Sequence, residues 1–223
     1  MRSVFWQPVR ELSLLLLCVV AVSSQNTAPA RTPKRPTSTP YSGDLTIFDS
    51  PGRDERLHIN RVMDILGISA GRSVADIGAG SGWFTVRAAR RVGPSGTVYA
   101  VDINPEAISY IDHRAHSESL ANVKTILSKP DDPTLPKEAV DAVLLLKTYH
   151  EVADPVALLE HLRPALRPGA RLGIIDRNGN GADHGVSQKI VIEEAGQAGY
   201  RLVQTYDFVK EDGMSYFLVF GIS

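Results

Sequence analysis

The sequence predicts an α/β fold, a mostly parallel sheet with helices on both faces, and three observations carry that expectation. Short apolar runs alternate with helical patterns from residue 54 onward. The runs are apolar on both faces, as strands buried in a parallel sheet are. A glycine-rich turn, Gly78-Ala79-Gly80-Ser81-Gly82, follows the first run at the strand end where such sheets place their ligands.

The elements follow in order. Arg2 and Arg10 flank the start of the chain, ahead of an apolar run from Leu12 to Val22 and small residues at Ala21 and Ser23. These are the parts of a secretory signal peptide over residues 1–24, or of an anchor if it stays uncleaved. The run falls short of the about 20 residues of a membrane-spanning helix. Residues 25–43 carry Pro29, Pro33, Pro36 and Pro40 among Thr, Ser and Ala, a composition that predicts a disordered linker. Residues 44–223 are left as the folded domain.

Within it, Leu57, Val62, Ile65 and Leu66 predict one amphipathic helix over 54–66. Strands are expected at 73–77, 97–101, 123–127, 139–146 and 171–175. A helix over 83–92 stops at Gly93-Pro94, and Pro105 opens the next at the first-turn position that proline tolerates. Asp154 caps a helix whose Leu158, Leu159 and Leu162 face inward and which Pro164 and Pro168-Gly169 end. A helix over 187–198 leads to strands 201–209 and 215–221, close enough in sequence to form an antiparallel hairpin.

Composition narrows the function. The 223 residues hold 24 Lys and Arg against 25 Asp and Glu, a net charge of -1. A nucleic-acid binder needs surplus positive charge to displace counterions, so none is expected as a partner. Cys18 is the only cysteine and lies in the apolar N-terminal run, which excludes an internal disulfide and a thiolate zinc site. A small-molecule or protein partner remains.

The glycine loop and the acids after it carry the chemistry. Glycines at 78, 80 and 82 let the backbone turn sharply and approach a ligand, with Ala79 between the first two. A dinucleotide fingerprint would place its third glycine at position 83, which is Trp83. Asp76 can hold the loop or pair with an ammonium group. Asp102, about 20 residues on, stands where an acid accepts hydrogen bonds from ribose hydroxyls; the alternative is a helix cap. Ile103 beside it would pack on an adenine ring, and Asp131 or Asp132 would accept from its amino group.

With these residues in view, the chain resembles the class I S-adenosylmethionine-dependent methyltransferases over roughly residues 53–223. The resemblance rests on Val74 to Gly82, Asp102, the Pro-Asp-Asp-Pro stretch from Pro130, Val140 to Leu145 and the approach to the fifth strand from Leu166. Its nearest look-alikes are small bacterial enzymes. It implies a Rossmann-like doubly wound seven-stranded sheet of order 3-2-1-4-5-7-6 with an antiparallel strand 7. It also implies S-adenosyl-L-methionine as cofactor, held by Asp76, Gly78, Ala79, Gly80, Gly82, Asp102, Ile103, Asp131 and Asp132, and methyl transfer to a small-molecule acceptor.

The acceptor would lie beyond the fourth and fifth strands, beside Lys147, Tyr149, His150, Glu151, Asp176 and Arg177. His150, titrating near neutrality, is the candidate base, with Tyr149 beside it. The other histidines, His184 among them, show no metal-ligand spacing, and no metal is expected. Two rivals stay open: a nicotinamide-dependent oxidoreductase, and a module of the same fold that binds cofactor without turnover. The N-terminal run predicts an exported or membrane-anchored protein, or a cytoplasmic one if translation starts downstream. Any membrane contact would be through that run.

Overall fold

The computed structural model describes residues 35–209 and 213–222, with Met1 and Ser3 besides. The apolar run 12–22 and the first part of the expected linker lie outside the described residues. Among those described, no helix is long and apolar enough to cross a membrane. Residues 34–223 form one compact unit.

The sheet is built from β1 (Ser73–Ile77), β2 (Thr97–Asp102), β3 (Val123–Leu127), β4 (Val140–Leu146), β5 (Leu166–Arg177), β6 (Tyr200–Tyr206) and β7 (Ser215–Ile222). Their order is β3-β2-β1-β4-β5-β7-β6, as the sequence predicts. The pairs from β3 through β5 are parallel, and β7 runs antiparallel to both β5 and β6. The described helices are α1 (Arg53–Leu57), α2 (Ile59–Leu66), α3 (Trp83–Val92), α4 (Pro105–Ser117), α5 (Pro155–Leu162) and α6 (Gln188–Gln197).

β4 shows why its run is apolar on both faces. Val143 and Leu145 pack with Leu158, Leu159 and Leu162 of α5 and Val191 and Ala195 of α6. The alternate residues Ala142, Leu144 and Leu146 pack with Val62, Met63 and Leu66 of α2 and Phe84 and Ala88 of α3. Successive side chains of a strand point to opposite faces, so two covered faces require an unbroken apolar sequence.

Local capping sets the helix starts. The Asn104 side chain accepts from Glu106 N at the start of α4, and the Asp154 side chain from Ala157 N at the start of α5. Pro105 and Pro155 occupy the first helical positions, where the absent N–H has no partner to lose.

The structure departs from the expected elements in three places. The helix expected over 54–66 is broken at His58, whose left-handed backbone (φ 48°) ends α1 and starts α2 at a new angle. Pro168 and Gly169 do not close α5; a 3₁₀ turn, Arg163–Ala165, does, and the Pro-Gly pair lies inside a longer β5. The β4–β5 register shifts there, an irregularity that lets a residue without an N–H sit in a strand.

The third departure concerns the expected linker, whose last residues are packed. Arg35 donates through Nε to Glu194 of α6 (3.0 Å) and through a terminal nitrogen to the carbonyl of Tyr149 (2.8 Å). Ser38 is buried, and its Oγ donates to the Gly181 carbonyl (3.0 Å). Composition predicted disorder because the stretch lacks apolar residues, whereas the anchors are a charge and a hydroxyl that find buried partners. The segment then forms a 3₁₀ turn, Leu45–Asp49, and the Phe48 ring comes to rest over Gly80.

Candidate active site

The glycine loop leaves β1 at its carboxyl end. Gly78 N and Ala79 N donate to the Val101 carbonyl of β2 (2.8 and 3.1 Å), which folds the loop back over the sheet edge. Gly78 has φ 73°, and a Cβ there would come within 2.3 Å of the Thr148 methyl, so both conformation and space demand glycine. Gly82, at φ 73°, is the N-cap of α3, and a Cβ on it would press Ile111 of α4 at 3.0 Å.

Asp76 lies beneath this loop. It is 2% exposed, and Thr85 Oγ1 donates to it at 2.6 Å, tying β1 to α3. Burial pushes its carboxyl up to about 7, with the Thr85 hydrogen bond opposing and Asp102 adding to the rise. Its hydrogen bond is thus to α3, the helix that the loop leads into.

Asp102 ends β2. Its Oδ2 accepts from Gly80 N and its Oδ1 from Asn104 N, each at 2.9 Å, which fixes the carboxylate plane. Ile103 next to it is 40% exposed, and Leu127, the partner of Asp102 in the β2–β3 register, is 56% exposed. A fixed carboxylate beside bare apolar surface suits a ligand with hydroxyls at one end and a flat ring at the other. Asp132 turns its Oδ1 to Thr134 N (2.8 Å), capping its own loop. The Asp131 carbonyl accepts from His161 Nδ1 (2.6 Å). Their loop starts beside Asp102, whose carbonyl accepts from Ser128 N (2.9 Å).

Next to the glycine loop, where Thr148 Oγ1 donates to the Gly78 carbonyl (3.3 Å), stand the turn after β4 and the end of β5. Here the structure separates the two catalytic candidates. Tyr149 is fully buried in the core, and its hydroxyl donates to Glu194 at 2.9 Å. Burial above all, with the Glu194 carboxylate, raises the phenol well above its ordinary value. Tyr149 is therefore a packing and anchoring residue, and its expected catalytic place is corrected: a one-residue step along the turn after β4 points it into the core.

His150, also buried, pairs instead with the end of β5. Its backbone N donates to Asp176 Oδ2 (3.0 Å), and its ring Nδ1 lies 2.9 and 3.1 Å from the two Asp176 oxygens. Asp176 is wholly buried at the end of β5 and also accepts from Arg177 N. With Nδ1–H committed to a carboxylate, the lone pair of His150 is on Nε2, which stands 3.9 Å from Glu151 Oε1. Burial pushes Glu151 up to about 7; His150 draws it down, and Asp102 and then Asp176 push it further up. The influence of Asp102 on Glu151 places the acceptor side and the nucleoside side within electrostatic reach of each other. Lys147 turns to Ser215 of β7.

Several contributors escaped sequence reasoning. Arg53 stacks on the buried Trp83 ring (4.4 Å), donates to the Phe48 carbonyl (2.6 Å) and lowers the Asp76 carboxyl by its charge. Asp49 accepts from Ser81 Oγ (3.1 Å) and from Arg114 (2.9 Å), stitching the N-terminal segment to the glycine loop and α4. Asp176 stood among the edge residues of the sequence, but its grip on His150 is a contact between strand ends 26 residues apart. These contacts have no periodic or spacing signature.

The residues present fit S-adenosylmethionine. The glycines let the loop pack tightly against Thr148 and Ile111 at the end of β1, Asp102 is held by two backbone N–H groups at the end of β2, and Ile103 and Leu127 leave bare apolar surface near it. Trp83, 3% exposed, stands where a dinucleotide fingerprint has the glycine that packs its helix close to the strand.

Comparison with known proteins agrees with that geometry. The family described as "Methyltransferase domain" matches residues 68–199, more than half of the chain. A ubiquinone/menaquinone biosynthesis C-methyltransferase of Hahella chejuensis is 30% identical over 54% of this chain and 49% of its own length. An arsenite methyltransferase of Halobacterium salinarum is 27% identical over 61% of this chain and 35% of its own. The chain thus spans half or less of the length of these curated relatives. A crystal structure of an S-adenosylmethionine-dependent methyltransferase from Aquifex aeolicus superposes with a TM-score of 0.74 at 27% identity, over 82% of this chain and all of that one. The chain therefore belongs to the methyltransferase domain family, the class I enzymes whose cofactor is S-adenosylmethionine.

Proposed function

We propose that the protein transfers a methyl group from S-adenosylmethionine to a small-molecule acceptor, and that His150 faces this acceptor. The observation that carries the reading is the buried His150–Asp176 pair, on the turn after β4 whose Thr148 packs against Gly78 of the glycine loop. The cofactor supplies an electrophilic methyl on a sulfonium whose departure leaves a neutral thioether, so alignment provides most of the acceleration. The chain's part is to orient. Asp102 and the loop hold one end, while Asp176 fixes the tautomer and angle of His150 so that Nε2 accepts the acceptor's proton. Two relatives are named for quinone biosynthesis and for arsenite, which favours a small acceptor.

The test uses the full chain. Calorimetric titration with S-adenosylhomocysteine should give micromolar binding that Asp102→Ala weakens at least tenfold, or about 1.4 kcal/mol. His150→Ala should leave that affinity within about twofold while slowing methyl transfer about a hundredfold. No binding of the homocysteine product would sink the reading, and binding lost equally in both variants would make His150 structural.

The apolar N-terminal run supports a placement of the domain outside the cytosol or anchored at the membrane. A fusion of residues 1–43 to a reporter active only outside the cytosol reads this directly; an inactive, cytosolic fusion would favour a downstream start.

A further inference from the structure

Sequence spacing predicted no metal site, because His150, Glu151 and His184 do not form a ligand motif along the chain. The fold brings them together. One ligand atom from each lies within 4.8 Å of the others. His150 is buried, Glu151 half-buried and His184 exposed, a gradient that runs from a rigid floor to an open rim.

The local structure explains why His184 arrives there. The loop between β5 and α6 closes as a tight turn, with Gly181 N donating to the Gly185 carbonyl (2.7 Å) and Asn180 N to Asp183 Oδ1 (3.0 Å). His184 takes a left-handed backbone (φ 57°), uncommon away from glycine. Its N–H donates to Ser38 Oγ (3.0 Å), so the N-terminal segment pins this conformation. The result sets the His184 ring edge-on to His150, with centroids 5.9 Å apart.

The surroundings of His150 repeat a pattern of metal-binding histidines, which donate the second ring N–H to a carboxylate that fixes the tautomer and raises ligand basicity. Asp176 is that carboxylate. Two imidazole nitrogens and one carboxylate are a donor set for borderline divalent ions, and three protein ligands leave a position open. Ligand atoms around a tetrahedral ion sit roughly 3.5 Å apart. The present set, within 4.8 Å, needs to close by about 1 Å.

From this we infer that His150, His184 and Glu151 bind a divalent first-row transition ion of the zinc class, with one coordination position left for a further ligand. The ion would take the lone pair that otherwise serves proton transfer and would acidify a coordinated acceptor hydroxyl or water in its place. The site stands on its own geometry and does not require that the methyl-transfer reading hold.

The test is binding of the metal alone. The full chain, stripped with chelator, is titrated with Co²⁺ and followed by visible absorption, then with Zn²⁺ in competition. One equivalent of Co²⁺ with the bands of a low-coordinate site, displaced by Zn²⁺, is the expected result. His184→Ala and Glu151→Gln should each weaken it at least tenfold. Asp176→Asn, which leaves all three ligands in place, should weaken it 10- to 100-fold through His150 alone. His184 is exposed, so its substitution leaves the core intact, and an unchanged thermal midpoint confirms this. His113→Ala, which removes an exposed histidine three residues from His116, should leave binding unchanged. No stoichiometric binding, or binding that survives His184→Ala but not His113→Ala, would overturn the inference. Homocysteine-product titration in parallel separates its failure from failure of the methyl-transfer reading.

Discussion

Asp76 is a carboxyl that folding holds close to neutrality. Its pKa stands at about 7 in the native chain against 3.8 for an exposed Asp, with burial as the main cause. Between those values the native state binds the extra proton, so stability falls as pH rises from about 4 to about 7 and levels off above. Asp76→Asn keeps an acceptor for the Thr85 hydroxyl and removes the buried charge. It should raise the thermal midpoint at pH 8 and change it little at pH 4.5, as differential scanning calorimetry would read. An equal effect at both values would mean that the buried charge is not what opposes folding. Gly78 carries a steric prediction of the same reach. Gly78→Ala drives a Cβ into Thr148 at 2.3 Å while keeping a left-handed backbone, so cofactor affinity should drop by more than tenfold with a measurable loss of stability. Titration with S-adenosylhomocysteine beside urea unfolding separates the two losses.

At the scale of elements, the N-terminal segment and α6 clamp the turn that carries His150. Arg35 and Glu194 are an ion pair with side chains 9% and 11% exposed, and Arg35 also binds the carbonyl of Tyr149. Breaking a buried pair strands the remaining charge, which typically costs about 3–5 kcal/mol. Burial already raises the Glu194 carboxyl, and Arg35 opposes that rise. Without Arg35 the pKa climbs further, the acid neutralises at low pH, and the loss shrinks there. Arg35→Ala should therefore destabilise more at pH 8 than at pH 5 in urea unfolding; a pH-independent loss would point to packing instead. β4 is the other decisive element. Leu144 is fully buried on the α2–α3 face, and Leu144→Ala should remove about 2–5 kcal/mol.

At the scale of the whole molecule, a ligand that binds only the native state stabilises all of it. S-adenosylhomocysteine at a hundredfold over its Kd should add about 2.7 kcal/mol, seen as a raised thermal midpoint. A nicotinamide dinucleotide should leave the midpoint unchanged, because Trp83 stands where the dinucleotide fingerprint has the glycine that packs its helix close to the strand. A shift with the dinucleotide alone would reverse the assignment of the site.

What the sequence by itself determined was everything written in local pattern. The apolar runs of β1 and β4, Pro105 and Pro155 at helix starts, and the glycines at 78, 80 and 82 each act within a few residues, so local pattern reveals them. Asp76 and Asp102 were legible because they stand at fixed steps from that loop. The tertiary structure alone decided the partners of two adjacent buried residues: the Tyr149 hydroxyl went to Glu194 and the His150 ring to Asp176. It also decided that Asp176 orients His150, that a proline-rich stretch is anchored by Arg35 and Ser38, and that His184 closes on His150. These are pairings between distant segments, made by charges and hydroxyls whose partners are chosen when strand ends and loops converge. No one-dimensional period records such a choice, because its energy comes from burying polar groups together rather than from any local preference.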